Sequence, residues 1–311
     1  MKILPDPLNR FLAVAVAAAG FLAGCRGRGP EVQPLRPSAS FNRPRVPLGA
    51  AVEVRYTWEV GSAARPIAPG YEAFVHVLDP RGGVLFTDDH VPDPPPERWS
   101  PGRTYSYRRT VFVPVVPWVG GARVLMGLYD PRSGRRLVMA GEDAGRRAYA
   151  VGAIELLPQT ENIFLVFKEG WYGPEPDPAS PGTEHAWTRQ DAVVSFKNPR
   201  KDVVVYLEAE TCLSCFPAPP TLTVSLGSGQ ATLPLGNTRT LRARVRASAE
   251  QLGPEEWVDL RLRMSEAFVP SRLVPPMNDD DRELGLNVYH LSVASVEDVG
   301  PLDGLEVTQL R

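Results

Sequence analysis

The stretch Ala51-Val52-Glu53-Val54-Arg55-Tyr56-Thr57-Trp58-Glu59-Val60 places the apolar Val52, Val54, Tyr56 and Trp58 in strict alternation with Glu53, Arg55, Thr57 and Glu59. Alternation at a period of two belongs to a strand, where successive side chains point to opposite faces of a sheet. One face is expected in a core, and the face carrying Glu53 in water. Outward from this run the same pattern repeats in short pieces. Strands are expected at Glu72 to Leu78, Val84 to Thr87, Tyr105 to Val113, Ala122 to Leu128, Arg136 to Met139 and Tyr149 to Leu157. Between them lie turn sequences such as Asp79-Pro80-Arg81-Gly82-Gly83, Ser100-Pro101-Gly102 and Asp130-Pro131-Arg132-Ser133-Gly134. About seven strands with turns at such intervals describe an antiparallel β-sandwich, here without the Cys-Trp-Cys spacing of antibody domains.

Proline makes up 33 of the 311 residues and clusters at Pro92, Pro94, Pro95, Pro96 and again at Pro217, Pro219, Pro220. It lacks an amide hydrogen and blocks helix interiors, so this density excludes a mainly helical protein. The second half continues in strands: Phe164 to Phe167, Val203 to Leu207, Thr221 to Leu226, Thr240 to Val245, Trp257 to Met264 and Leu286 to Val293. The expected fold is all-β, two tandem antiparallel β-sandwiches. The boundaries are a leader over 1–24, a disordered tether over 25–46, an immunoglobulin-like sandwich over 47–158 and a second, jelly-roll-like sandwich over 159–311.

Six segments carry a resemblance. Tyr71-Glu72-Ala73-Phe74-Val75-His76-Val77-Leu78-Asp79, Arg98-Trp99-Ser100-Pro101-Gly102 and Met126-Gly127-Leu128-Tyr129-Asp130-Pro131 look like the immunoglobulin-like module appended to bacterial membrane glycosyltransferases. In the second half, Gly170-Trp171-Tyr172, Trp187-Thr188 and Asp281-Arg282-Glu283-Leu284-Gly285 resemble the other β-sandwich that accompanies those enzymes, similar in layout to carbohydrate-binding jelly rolls. The family usually has arginine before the tryptophan-threonine pair, where this chain has Ala186. These motifs specify strands and corners and carry no chemistry. Trp99 reads as a hydrophobic plug at a sandwich corner.

The first residues read as an address. Lys2 and Arg10 supply a positive region and Phe11 to Phe21 an apolar one, followed by Leu22-Ala23-Gly24-Cys25. That tetrapeptide resembles the lipobox of bacterial lipoproteins, which implies lipidation of Cys25 and removal of the residues before it. Between Arg10 and Arg26 lie only 15 residues, Phe11 to Cys25, short of the roughly 20 that cross a bilayer. The resemblance implies a membrane partner through the N-terminal lipid, in the cell envelope and facing periplasm or exterior. Arg26 in place of aspartate favours the outer membrane by the enterobacterial sorting rule.

Candidate chemistry is sparse. The net charge of -2 gives no basic footprint for nucleic acid. Cys212-Leu213-Ser214-Cys215 has redox spacing, but proline follows it where a thioredoxin-like site would start a helix. A small exported disulfide is the expectation. The clusters Asp88-Asp89-His90 and Asp279-Asp280-Asp281 offer oxygen ligands for Ca2+ without the twelve-residue loop spacing, and no other metal or cofactor is expected. There is no G-x-S-x-G elbow and no H-E-x-x-H, and His76, His90, His185 and His290 are scattered.

The function expected from these observations is a non-catalytic envelope lipoprotein that binds a glycan or a protein partner through sandwich loops. Trp171, Tyr172 and Trp187 are the aromatic candidates for sugar contact. The alternatives are an accessory or weakly hydrolytic enzyme of cell-surface polysaccharide, or thiol–disulfide exchange through Cys212 and Cys215.

Overall fold

The computed structural model describes residues 32–177, 183–236, 240–302 and 306–310. The leader over 1–24 and Cys25 lie outside the described residues. In the first sandwich the strands are β1 (Leu35–Phe41), β2 (Arg45–Pro47), β3 (Ala51–Val60), β4 (Glu72–Leu78), β5 (Val84–Thr87), β6 (Thr104–Phe112), β7 (Gly120–Tyr129) and β8 (Tyr149–Leu157). They form two sheets, β1-β3-β6 and β2-β8-β7-β4-β5. All pairings are antiparallel except β2 with β8. Val52, Val54, Tyr56 and Trp58 face the core as the alternation requires, Trp58 with no exposed surface. Its ring packs 5.2 Å from Trp99, which stacks in turn on Tyr105 and donates its indole N–H to the Pro94 carbonyl at 2.8 Å.

The second sandwich is built from β9 (Leu165–Phe167), β10 (Glu175–Pro176), β11 (Glu184–Trp187), β12 (Asp191–Lys197), β13 (Val203–Glu210), β14 (Thr221–Leu226), β15 (Gly229–Pro234), β16 (Thr240–Ala247), β17 (Trp257–Met264), β18 (Asn287–Ser295) and β19 (Thr308–Gln309). Its sheets are β10-β11-β18-β13-β16-β19 and β15-β14-β17-β12-β9. Their facing sides enclose a core that includes Phe196, Val205, Leu207, Leu222, Leu260 and Leu262. The chain therefore folds as two β-sandwiches in tandem, with strands making up nearly all of its regular secondary structure.

Three expectations need correction. The tether over 25–46 is partly folded, because Leu35–Phe41 pairs along its whole length with β3. Leu35, Pro37, Ala39 and Phe41 turn toward the core while Arg36, Ser38 and Ser40 turn out. Pro37 is tolerated because β1 is an edge strand, where a missing amide hydrogen costs no ladder bond. Arg136 to Met139 is not a strand and makes only the isolated bridges Tyr129↔Arg136 and Gln33↔Met139. Finally, the outer face of β3 is not wholly wet. Glu53 is 3 % exposed, because the second sandwich covers it.

Residues 32–311 form one compact unit. Between the sandwiches Ala51 and Phe112 pack against Val204, Tyr206 and Ala294, the outward side chains of strands whose alternate residues fill the second core, and against Val299 of the turn that follows β18. Phe112 stacks flat on His290, ring centres 4.4 Å apart. The short turn Val296–Val299 reaches back to β1, and Asn42 donates to the Val299 carbonyl. Gly300, at φ +69°, lies so close that a Cβ there would collide with the Asn42 carbonyl.

Candidate functional site

Strand register puts three side chains in one row. β11 pairs with β18 so that Trp187 lies opposite Asn287, and β18 pairs with β13 so that Asn287 lies opposite Glu210. Directly opposed residues share a face of the sheet, so Trp187, Asn287 and Glu210 form a line about 10 Å long at the usual spacing of neighbouring strands. The β13–β18 register shifts between Glu208 and Ala209, just before this row. Such bulges re-aim the side chains that follow. On β16, Thr240 continues the row and donates its hydroxyl to Glu210 at 2.7 Å.

The row floors a cleft of about 780 Å³. One wall is the turn that leaves β13, where Thr211 donates to the Gly285 carbonyl at 2.8 Å and a disulfide joins Cys212 to Cys215. The other wall is the segment between β17 and β18, carrying Pro270, Met277, Asp280 and Arg282. It is pinned by the bridge between Phe268 and Leu284. Trp187 is braced from behind, edge to face with Phe268 at 6.0 Å, which meets Phe216 in the same way at 5.7 Å.

Two polar features set the chemistry. Asn287 is 7 % exposed and its amide nitrogen bonds the Tyr289 hydroxyl at 3.3 Å, but its amide oxygen has no partner among the described residues. A buried acceptor left unpaired costs about 1–3 kcal/mol, so it invites a donor from a bound molecule. Each nitrogen of Arg282 is engaged: it grips Asp280 through Nε and Nη2, at 3.0 and 2.7 Å, and Glu175 through Nη1 at 2.5 Å. The hydrogen bonds from Arg282 hold the Asp280 carboxyl below the usual carboxylate range. A glycosidase acid needs the opposite shift. Asp280 is thus a brace for Arg282 and not a proton donor.

The residues singled out in the sequence divide. Trp187 lines the cleft. Trp171 does not; its indole donates to the Val193 carbonyl at 2.9 Å, and its half-buried ring packs against the edge of the core, edge to face with the exposed Phe167. Tyr172 stands behind the cleft, with the Arg282 guanidinium 5.1 Å from its ring and its hydroxyl on the Glu283 carbonyl. Cys212 and Cys215 form the expected disulfide within a single 3-10 turn, with no helix to activate a thiolate. The acidic clusters are occupied by their own chain. Asp88 accepts from Tyr56 at 2.9 Å and is gripped through both oxygens by Arg109, while Asp281 accepts from Ser271. Among the described residues no group of three or more His, Cys, Asp or Glu is arranged to hold a metal. Asn287 and Glu210 carried no signal in the sequence, since only cross-strand register brings them to Trp187.

No protein-family model and no curated protein matches the chain, so the resemblance to glycosyltransferase-appended modules stands on the quoted motifs alone. Solved structures offer distant likenesses. The tandem CBM22-1–CBM22-2 domains of Paenibacillus barcinonensis Xyn10C are 9 % identical, covering 85 % of this chain and 94 % of that one, at a TM-score of 0.25. The M60 catalytic domain of Clostridium perfringens ZmpB with its CBM51 domains is 7 % identical, covering 78 % and 34 %, at 0.22. The collagen adhesin of S. aureus is 8 % identical, covering 83 % and 95 %, at 0.18. With every TM-score this low, none of them bears on what this chain binds.

Proposed function

We propose that this protein is a non-catalytic lipoprotein of the bacterial cell envelope that recognises a glycan in the cleft of its second sandwich. The observation that carries the reading is the row Trp187–Asn287–Glu210, with its unpaired amide oxygen beside an aromatic ring. A sugar presents an apolar C–H face to an indole and hydroxyl donors around its rim, which is the complement of this row. The cleft also falls within the size range of small-ligand sites. Glycan contact is assigned to Trp187, which lines the cleft; Trp171 lies outside that lining. Anchoring is assigned to acyl chains on Cys25, supported by Leu22-Ala23-Gly24-Cys25 behind the apolar run. Among the described residues no helix is long and apolar enough to cross a membrane. Outer-membrane attachment follows from Arg26 under the sorting rule.

The test is a glycan array probed with the wild-type protein and with Trp187→Ala and Asn287→Ala, each checked for folding by circular dichroism. The reading expects a set of glycans bound by wild type and lost in both variants. An array with no binding, or binding indifferent to both substitutions, removes it. Metabolic labelling with palmitate, expected on wild type and absent from Cys25→Ser, tests the anchor separately.

A further inference from the structure

Resting on the glycan reading of the cleft, we infer that Glu175 and Asp280 are specificity residues that make the cleft select uncharged sugars and refuse acidic ones. Arg282 is the only cation of the cleft lining among the described residues. A guanidinium with open donors is the usual receptor for a uronate, sulfate or phosphate, taking its oxygens two at a time. Here most of that capacity is spent within the chain, three of the guanidinium's five N–H donors. Nε and Nη2 of Arg282 go to Asp280 and Nη1 to Glu175, from a ring of contacts that spans β10 and the segment before β18. An anionic sugar entering the cleft would lose its hydration among three lining carboxylates, Glu175, Glu210 and Asp280, with Arg282 the one positive group. An uncharged sugar meets the unpaired Asn287 oxygen, which needs a hydroxyl donor, and the Trp187 ring. Two side chains with no direct part in holding the sugar therefore set its charge class, by keeping Arg282 occupied.

The experiment is isothermal titration of the full chain in detergent with matched tetrasaccharides, galactose against galacturonate and mannose against mannuronate. Wild type is expected to bind one of the neutral tetramers, with its uronate counterpart at least about tenfold weaker, at low and at physiological salt alike. Glu175→Gln, which removes one carboxylate charge beside Arg282 while its amide oxygen still accepts from Nη1, is expected to narrow that gap by raising uronate affinity several-fold. Wild-type binding of a uronate as tightly as its neutral counterpart overturns the inference and needs no variant to fold. A neutral sugar bound with a gap unchanged in Glu175→Gln also overturns it and leaves the glycan reading standing. Failure of all four sugars to bind overturns both.

Discussion

The carboxylate of Glu53 in the first sandwich is held through both oxygens by the guanidinium of Arg244 in the second, at 2.5 and 3.1 Å, and Thr110 donates to the same carboxylate at 3.0 Å. Both side chains are largely buried, Glu53 at 3 % and Arg244 at 14 % exposure. A pair formed this deep adds little net stability, but removing one partner strands a buried charge. Glu53→Ala is expected to cost about 3–5 kcal/mol in urea denaturation. Glu53→Leu combined with Arg244→Met should recover most of that loss. If the single variant melts like wild type, the sandwiches do not meet as described here.

Acidification should weaken the fold as its buried histidines take up protons. His76, His90 and His290 are all held below the ordinary histidine value of 6.5, in each case chiefly by burial. The native state then binds fewer protons than the unfolded chain, so these groups contribute stability above 6.5 that is lost as pH falls toward their depressed values. The urea midpoint is expected to drop between about pH 7.5 and about pH 5.5. A flat midpoint over that window would show the three rings hydrated in the folded protein.

The two tryptophans considered for sugar contact should separate cleanly. Trp171→Ala removes a half-buried ring packed against the core and its indole hydrogen bond, and is expected to cost about 1–3 kcal/mol while leaving binding at the cleft intact. Trp187→Ala, equally half-buried against that core, should cost a similar amount of stability and abolish binding at the cleft. Binding intact in both variants would contradict the assignment.

Closing a loop between residues three apart, the Cys212–Cys215 bridge should contribute about 2 kcal/mol through the unfolded chain. Its second effect is local, since Leu213 and Ser214 belong to the cleft wall. The double variant Cys212→Ser, Cys215→Ser is expected to melt roughly 4 °C lower and to bind the cleft ligand more weakly at temperatures where it is fully folded. Unchanged affinity in a folded double variant would mean the turn keeps its shape without the bond.

The strands were legible where side-chain alternation stood clear of other signals. Ala51–Val60, Tyr149–Leu157 and Trp257–Met264 end where the pattern ends. Leu35–Phe41 was hidden because Pro34 and Pro37 mark a tether in isolation, and only an edge position makes Pro37 compatible with a sheet. Gly229–Pro234 escaped for a related reason: Gly229, Gln230 and Ala231 carry little apolar pattern, and its place is set by pairing with β14. Glu53 read as a solvent residue because a sequence does not say which outer faces meet another domain. The site was legible only in Trp187. Asn287 begins a strand and Glu210 ends one, and their partnership with Trp187 exists in the register of three strands separated by up to 100 residues of chain.

The most direct test is to follow the tryptophan indole and asparagine side-chain amide resonances by NMR while titrating a glycan that the array identifies. The account predicts that the signals of Trp187 and Asn287 move with the same saturation curve while that of Trp171 stays in place. Movement confined to Trp171, or to residues of the first sandwich, would contradict it.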